Sequence, residues 1–295
     1  QVLANSGLVD HELLFRLAVR LDNVKKPIKQ GFYDVPQGLS PTEILRMLQQ
    51  GPNVSDARFK VTVAEGQALK QTARQFTDPD AFMKAASDPE LIDALGVKTA
   101  NLEGFLMPDT YFFDKEPGPE EVVRRMVEHF EKQYAALCAE VPGAADRDKL
   151  ELVTVASLVE EESRVTDERP IVAAVIFNRI EKNMTLDFDS TLQYALDKYG
   201  QRLLDSDKQV DSPYNTYRNA GLPPGPISSP GVDSLRAAMQ PAPVDYLFFV
   251  SNADGKTHAF SATLEDHNKA VAKYRREIAI QRKEQEAHAA QESEQ

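Results

Sequence analysis

The chain has 295 residues, of which 42% are hydrophobic and 27% are charged, a composition typical of a globular protein with one large or two smaller domains. Its formal net charge of -12 argues against nucleic acid or an anionic membrane surface as the main partner, because those ligands attract basic patches. The single cysteine, Cys138, excludes an intrachain disulfide and a cysteine-based zinc site. No stretch reaches the roughly 18 to 20 apolar residues of a membrane span. Because the chain begins at Gln1, we expect an upstream portion in the full protein.

The first hundred residues predict a small α+β unit. Its predicted elements are, in chain order, a helix over 13–21, a strand over 31–35, a helix over 41–50, a strand over 59–63 and a helix over 69–76. The third element has the most complete signals, with Ser40 as N-cap, Glu43 completing a capping box and Gly51 just past the end. Pro79 and Pro89 then indicate short helices and a domain boundary near residue 100.

The remainder predicts a larger mixed α/β domain, so that the fold class is α+β. Its predicted elements are helices over 118–140, 148–163, 168–182 and 190–199, a hairpin of strands over 246–250 and 257–261, and a helix from Thr263 to about Arg282. Thr166 or Asp167 is the expected cap of the third helix, and Ser190 that of the fourth. The domains are therefore 1–100 and 101–282, followed by a disordered or frayed helical tail over 283–295.

Three successive glutamates, Glu160, Glu161 and Glu162, end the apolar run of residues 152–159. On a helix that turns by about 100° per residue, Glu161 falls opposite the apolar arc, in solvent. Glu160 and Glu162 fall inside the two edges of that arc. A carboxylate there is partly desolvated, which raises its pKa, as a general acid near neutral pH requires.

Two interpretations of these glutamates stay open on spacing alone. In the first, Glu160 or Glu162 performs chemistry, with Ser163 available to hydrogen-bond a carboxylate or a substrate. In the second, the helix end is structural, and its carboxylates are solvated or paired with Arg164 or Arg169.

Residues 212–231 form a long Pro/Gly segment that is rich in tyrosine, asparagine and threonine. Tyrosine rings pack on sugar faces, while asparagine and threonine bond to hydroxyls and amides, so the segment suits a carbohydrate ligand. An ordered structural loop is the alternative.

We expect neither a metal nor a cofactor. Asp187, Asp189, His258 and His267 could be combined into a metal site, but the histidines lack the close spacing of a zincin motif. The sequence has no phosphate-cradling glycine loop, nucleophile elbow or Cys/His pair.

A series of short motifs follows one another in order through most of residues 100–275. They are Glu103-Gly104 with Pro108-Asp109-Thr110, Ala156-Ser157-Leu158-Val159-Glu160-Glu161-Glu162-Ser163, Val175-Ile176-Phe177-Asn178-Arg179, Tyr214-Asn215-Thr216-Tyr217, Gly221-Leu222-Pro223-Pro224-Gly225-Pro226-Ile227, Pro230-Gly231, Asp233-Ser234-Leu235 and His267-Asn268. Together these motifs resemble the YceG-like endolytic murein (peptidoglycan) transglycosylases.

The resemblance implies that Glu162, the second glutamate of the family's Glu-x-Glu motif, is the catalytic acid and base. It gives Glu160, the first glutamate of that motif, a supporting role. The further residues that we expect to support the site or bind substrate are Ser163, Asn178, Asp189, Tyr214, Asn215, Thr216 and Tyr217. Two departures from the family's pattern are visible. Glu161 stands where lysine is common, and residues 187–191 differ from the more usual Gln-x-Asp-Pro-Thr, although Asp189 keeps the aspartate.

The implied reaction cleaves the β-1,4 bond between N-acetylmuramic acid and N-acetylglucosamine in nascent glycan strands and leaves a 1,6-anhydro end. A glycan-binding scaffold without activity and a hydrolytic muramidase are the alternatives. The resemblance further implies a LysM-like glycan-binding subdomain in residues 1–100, truncated at its N-terminus, and contact with cell-wall synthases. It also implies a single N-terminal inner-membrane helix, absent from this sequence, that places the chain in the periplasm.

Overall fold

The structure is a computed structural model that describes residues 12–21, 26–29, 33, 35–36, 39–51 and 59–293. These residues form helices and two small two-stranded sheets, which confirms the predicted α+β class. The strand predicted over 31–35 falls largely outside the described residues.

The helices follow the predicted order closely. They are α1 (Glu12–Leu21), α2 (Pro41–Gln50), α3 (Leu69–Ala73), α4 (Pro79–Ala85), α5 (Pro89–Leu95), α6 (Pro119–Glu140), α7 (Lys149–Glu162), α8 (Arg169–Glu181), α9 (Asp189–Leu196), α10 (Val232–Met239) and α11 (Leu264–Ser293). Within the described residues, none of these helices is long and apolar enough to cross a membrane.

The strands form two separate pairs. Strand β1 (Phe59–Val63) pairs with β2 (Asp109–Phe113), and β3 (Phe248–Ser251) pairs with β4 (His258–Ser261). The second pair is antiparallel, with Phe248 opposite Ser261 and Ser251 opposite His258. The predicted hairpin is therefore confirmed, and its turn is fixed by the Asp254 carboxylate, which accepts hydrogen bonds from two backbone N–H groups.

By packing, the chain divides into two compact units, one of residues 1–60 with 112–116 and one of residues 61–111 with 117–295. In the first unit α1 packs on α2, which begins at Ser40 with the predicted capping box. Ser40 N–H donates to the Glu43 carboxylate at 2.8 Å, and Glu43 N–H donates to the Ser40 hydroxyl at 3.4 Å. The LysM-like role and the boundary near residue 100 stay predictions.

Helix α7 is the centre of the second unit. Asp148 caps it by accepting a hydrogen bond from the N–H of Glu151, and residues 152–159 are all buried. A helix that is buried all round must be covered by neighbours, here α8 and α10. The helix ends at Glu162, since the N–H of Ser163 makes its last hydrogen bond, to the carbonyl of Val159 at 3.0 Å. The three glutamates thus lie where a buried helix reaches its end.

Two predicted caps are wrong. A short 3₁₀ helix over Thr166–Glu168 leads directly into α8, so neither Thr166 nor Asp167 caps that helix. Ser190 lies inside the first turn of α9 instead of preceding it. Helix α3 ends at Ala73, before the predicted Phe76, whereas α11 continues past Arg282 to Ser293.

Candidate active site

Glu160 is enclosed by hydrogen-bond donors. Its Oε1 accepts from Nη2 of Arg169 at 3.1 Å, and its Oε2 accepts from the N–H of Gly231 at 3.0 Å and the hydroxyl of Ser234 at 2.8 Å. Gly231 immediately precedes α10, so the carboxylate also faces the positive end of that helix. Glu160 therefore joins α7 to α8 and α10. For this residue the structure confirms Arg169 as the ion-pair partner.

Glu161 is exposed at the protein surface, as predicted, but its carboxylate lies close to the turn at Gly66. A Cβ atom on Gly66 would lie 3.2 Å from Oε1 of Glu161, which places the carboxylate against the turn at Gly66. The loss of hydration there raises the pKa of Glu161 to about 7, against the effect of a hydrogen bond with Ser228. Glu161 does not line the cavity that Glu162 enters.

Glu162, the last residue of α7, lines a cavity of about 430 Å³. The hydroxyl of Ser190 donates a hydrogen bond to its Oε1 at 2.7 Å. Burial raises the pKa of Glu162 above the ordinary carboxyl value. The bond from Ser190 and the attraction of His258 oppose that rise, whereas repulsion by Asp189 adds to it. A carboxyl with a raised pKa, facing a cavity, is suited to proton transfer near neutral pH.

One wall of the cavity is acidic and phenolic. Asp189 begins α9, and its Oδ1 accepts a hydrogen bond from the hydroxyl of Tyr217 at 2.7 Å. Asp187 lines the cavity as well and lies 3.7 Å from Nη1 of Arg179. The wall thus holds carboxylates beside Glu162, which favours positive charge developing in the cavity.

Another part of the cavity wall is aromatic and cationic. Arg179 is held in place because its Nε donates to the carbonyl of Leu247 at 2.6 Å and its Nη1 to that of Leu186 at 2.9 Å. His267 of α11 stacks on Phe248, with ring centroids 5.3 Å apart. Burial, and then the charge of Arg179, lower the pKa of His267. Phe249 and the exposed Leu264 complete this wall.

Several predicted site residues hold the loops around the cavity. Asn178 donates from its amide to the carbonyls of Val244 and Tyr246 at 2.9 and 3.0 Å. Asn215, which is fully buried, donates to the carbonyls of residues 208 and 210 and accepts from the N–H of Tyr217. Asn178 and Asn215 therefore support the surrounding loops through hydrogen bonds, and neither side chain lines the cavity.

The hydroxyl groups of two further predicted site residues are likewise engaged in hydrogen bonds within the protein. Thr216 is 1% exposed, and its hydroxyl accepts from the N–H of Phe188 at 3.0 Å. The Ser163 hydroxyl donates to the carbonyl of Val165 at 3.0 Å, so it does not bond to Glu162. Of the four residues from Tyr214 to Tyr217, Tyr217 is the one that lines the cavity.

Tyr214 belongs to a second cluster, built around the buried carboxyl of Glu103. The N–H of Leu69, the first residue of α3, donates to both oxygens of Glu103 at 2.9 and 3.1 Å. Tyr194 also hydrogen-bonds Glu103, and its ring lies 4.8 Å from that of Tyr214. Burial raises the pKa of Glu103 to about 8.

Sequence reasoning missed several residues of the cavity. Ser190 was predicted as a helix cap, and His267 was considered only as a metal ligand. Arg179 and Phe248 were not singled out for chemistry, since both lie in segments that read as ordinary helix and strand. Arg179 and His267 do fall within the motifs quoted for the resemblance, which is the signal that could have found them.

The structure offers no preformed metal centre among the described residues, where no group of three or more His, Cys, Asp or Glu side chains could hold an ion. His258 is instead bound to Glu168, whose carboxylate accepts from the backbone N–H of His258 at 3.0 Å and lies 2.7 Å from its Nδ1.

The fold and the site define a class of protein in which a carboxyl group at the end of a buried helix faces a cavity lined by acidic and aromatic side chains. Residues 1–273 match the sequence profile of the YceG-like family, and the chain belongs to that family.

Named relatives agree with this assignment. The endolytic murein transglycosylase of Bacillus subtilis (strain 168) is 32% identical over 296 aligned residues, covering 92% of this chain and 80% of that protein. That of Streptococcus pneumoniae serotype 2 (strain D39) is 29% identical over 306 residues, covering 92% of this chain but only 55% of the relative. The crystal structure of a yceG-like protein from Listeria monocytogenes is 30% identical, with a TM-score of 0.63, and covers 91% of this chain and 93% of that one.

Proposed function

We propose that this chain is a lytic transglycosylase that cleaves peptidoglycan glycan strands. One observation supports the proposal above all others. Of the three glutamates that end α7, Glu162 alone lines the cavity, while Glu160 is enclosed by hydrogen-bond donors and Glu161 is exposed beside the Gly66 turn. The names of the relatives supply the substrate class, murein.

In the proposed mechanism Glu162 first acts as an acid. Its protonated carboxyl donates the proton to the glycosidic oxygen between N-acetylmuramic acid and N-acetylglucosamine, and the C1–O bond breaks. The resulting carboxylate then accepts the proton of the muramic C6 hydroxyl, whose oxygen forms a bond to C1. Glu162 is regenerated, the product carries a 1,6-anhydro end, and no water is consumed.

The surroundings of Glu162 suit both steps. Burial raises the pKa of Glu162 and so favours the protonated carboxyl before reaction. Asp189, placed close enough to add to that rise, offers negative charge to the oxocarbenium-like transition state. Phe248 and Phe249 line the cavity and provide apolar contact area for sugar rings.

The remaining parts of the proposal concern the cellular setting. The N-terminal part would hold glycan strands as a LysM-like subdomain, and the working partners would be cell-wall synthases. A single membrane helix preceding the chain would keep it at the inner membrane on the periplasmic side.

One observation favours a second candidate, a hydrolytic muramidase. Asp189 stands beside Glu162, and a pair of carboxylates is what ordinary glycosidases use to activate water or form a covalent intermediate. In that reaction the reducing end would be a normal hemiacetal, because water adds to C1.

Mass spectrometry of digested peptidoglycan separates these reactions. Purified glycan strands are incubated with the wild-type protein and with Glu162→Gln, and the new ends are identified. We expect 1,6-anhydro ends from the wild type and none from the variant. Ends that carry an added water would support the muramidase instead. Strands that bind to both proteins without cleavage by either would support a glycan-binding scaffold.

A further inference from the structure

We infer that Ser190 is a positioning residue for Glu162. The hydroxyl of Ser190 holds the Glu162 carboxyl through Oε1 and leaves Oε2 to exchange the proton with the substrate. The inference rests on the proposed function and deepens it. Its basis is one contact, the 2.7 Å hydrogen bond from Oγ of Ser190 to Oε1 of Glu162.

Ser190 is well placed to fix the carboxyl because its own position is fixed. It lies in the first turn of α9, between Asp189, which is bound to Tyr217, and Thr191, which is fully buried. The Thr191 hydroxyl donates to the carbonyl of Phe188 at 2.8 Å and lies 2.9 Å from that of Thr216. The hydroxyl that meets Glu162 is therefore carried by an anchored helix start.

The direction of the bond assigns different tasks to the two oxygens of Glu162. Because the Ser190 hydroxyl donates to Oε1, that oxygen acts as an acceptor, and the acidic proton belongs on Oε2. When Glu162 loses its proton, the bond from Ser190 becomes charge-assisted and therefore stronger. Ser190 thus stabilises the carboxylate relative to the carboxylic acid and makes Glu162 a stronger acid.

Charged groups around Glu162 shift its pKa in both directions. The titratable or charged groups that face the cavity or interact with this carboxyl are Asp189 and Asp187, Arg179, Tyr217, His267, His258 and the adjacent Glu161. Asp189 opposes ionisation of Glu162, whereas His258 favours it. Ser190 differs from these groups because it is neutral and in direct contact, so its effect persists when salt screens the charges.

The test is a titration of Glu162 by NMR in protein labelled with ¹³C at the glutamate side-chain carboxyl. The resonance is assigned by its loss in Glu162→Gln. We expect Ser190→Ala to shift the Glu162 titration upward by about one pH unit, the size expected for loss of one hydrogen bond to a charged group. Ser190→Thr, which keeps a hydroxyl, should restore most of the wild-type value.

Gln193→Ala is the matched control. Gln193 lies on α9 as well, but its amide donates to the carbonyl of Gln201 at 3.0 Å on the exposed side. We expect this variant to leave the Glu162 titration unchanged. An unchanged titration in Ser190→Ala would overturn the inference, as would an equal shift in Gln193→Ala, because the shift would then come from loosening of α9.

A second readout uses the reaction itself. If Glu162 is the acid, the alkaline limb of the pH–rate profile should move upward in Ser190→Ala together with the NMR titration. Absence of 1,6-anhydro ends from the wild type would contradict the proposed function, whereas the NMR titration judges the role of Ser190 independently.

Discussion

Nη2 of Arg169 lies 3.1 Å from Oε1 of Glu160, and the two side chains are only 11% and 7% exposed. A buried ion pair of this kind is held by its hydrogen bonds, because the attraction between its charges barely offsets their loss of hydration. The Glu160 carboxylate also accepts hydrogen bonds from the N–H of Gly231 and the hydroxyl of Ser234. The pair therefore has a structural task, which is to fasten the end of α7 to α8 and α10.

Replacement of Glu160 by alanine should destabilise the fold strongly. The buried guanidinium of Arg169 would lose its 3.1 Å partner and keep only the longer 3.9 Å contact with Asp233, and the donors at Gly231 and Ser234 would lose their acceptor. We expect the free energy of unfolding to fall by roughly 3–5 kcal/mol, as measured by urea denaturation. Arg236→Ala is the control, since it removes an ion pair with Glu140 that is about half exposed on each side and should cost at most about 1 kcal/mol. Equal losses in the two variants would contradict the structural role of Glu160.

Replacement of Glu162 by glutamine should abolish strand cleavage while the fold is retained. Glutamine keeps the shape of the side chain and can still meet Ser190, but it cannot donate a proton as an acid. We expect turnover to fall by roughly 10²–10⁴-fold, measured as 1,6-anhydro ends released per enzyme, with an unchanged circular dichroism spectrum.

The neighbouring residue provides the control for that experiment. Glu161→Gln removes an adjacent carboxylate that lies against the Gly66 turn and does not line the cavity. It should retain turnover within a few-fold of the wild type. Loss of activity in Glu161→Gln with survival in Glu162→Gln would transfer the acid role to Glu161, whose pKa of about 7 would also permit it.

The local signals in the sequence predicted most of the fold. The capping box at Ser40, the apolar run of α7 and the Asn-Ala-Asp-Gly turn each depend on residues close in the chain, and each is confirmed. The cap of α8 was wrong because a 3₁₀ helix, which leaves no N-cap residue of the usual kind, runs into that helix.

The difference between Glu160 and Glu162 was not predictable from the helix alone. Spacing placed Glu160 and Glu162 at the two edges of the apolar arc without deciding between them, and their difference comes from partners distant in sequence. Glu160 meets Gly231 and Ser234, about 70 residues later, whereas Glu162 meets Ser190. The departure of residues 187–191 from the usual family pattern was visible, but its consequence, a hydroxyl bonded to Glu162, required the tertiary structure.

The buried carboxyl of Glu103 should make the stability of the protein depend on pH. Its pKa is about 8 in the folded state, compared with 4.5 when it is unperturbed. Between these values the folded protein holds a proton that the unfolded chain releases, so stability falls as pH rises. The protonation of Glu103 therefore contributes fully to the free energy of unfolding below pH 4.5, and this contribution is lost as the pH rises through 8. For a shift of this size the contribution is up to about 5 kcal/mol.

Glu103→Gln should remove that dependence. Glutamine stays neutral at all pH values and can still accept the N–H of Leu69 through its side-chain oxygen. Urea denaturation at pH 5 and pH 9 should therefore show a smaller loss of stability at high pH in the variant than in the wild type. Glu128→Gln, at an exposed position on α6, should behave as the wild type does. If Glu103→Gln retained the full pH dependence, the proton would have to be held elsewhere.

Gly104 should tolerate no side chain, for two separable reasons. Its φ of +81° lies in the left-handed region, which disfavours residues with a Cβ atom. A Cβ would also lie 2.5 Å from Cβ of Pro226 and 3.0 Å from Cγ1 of Val153, on α7. Because both neighbours are within the packed unit, Gly104→Ala should reduce the free energy of unfolding by roughly 3 kcal/mol or more, measured by chemical denaturation.

Gly143→Ala separates the backbone effect from the packing effect. Gly143 has a similar φ of +77°, but a Cβ there would meet nothing within 4 Å. Its replacement should cost only the backbone strain, about 1–2 kcal/mol. The excess in Gly104→Ala then measures how tightly the chain at Gly104 closes against Pro226 and α7. If the two variants lost equal stability, Gly104 would be needed for its backbone conformation alone, and the close approach of the loop at Pro226 to α7 would not depend on it.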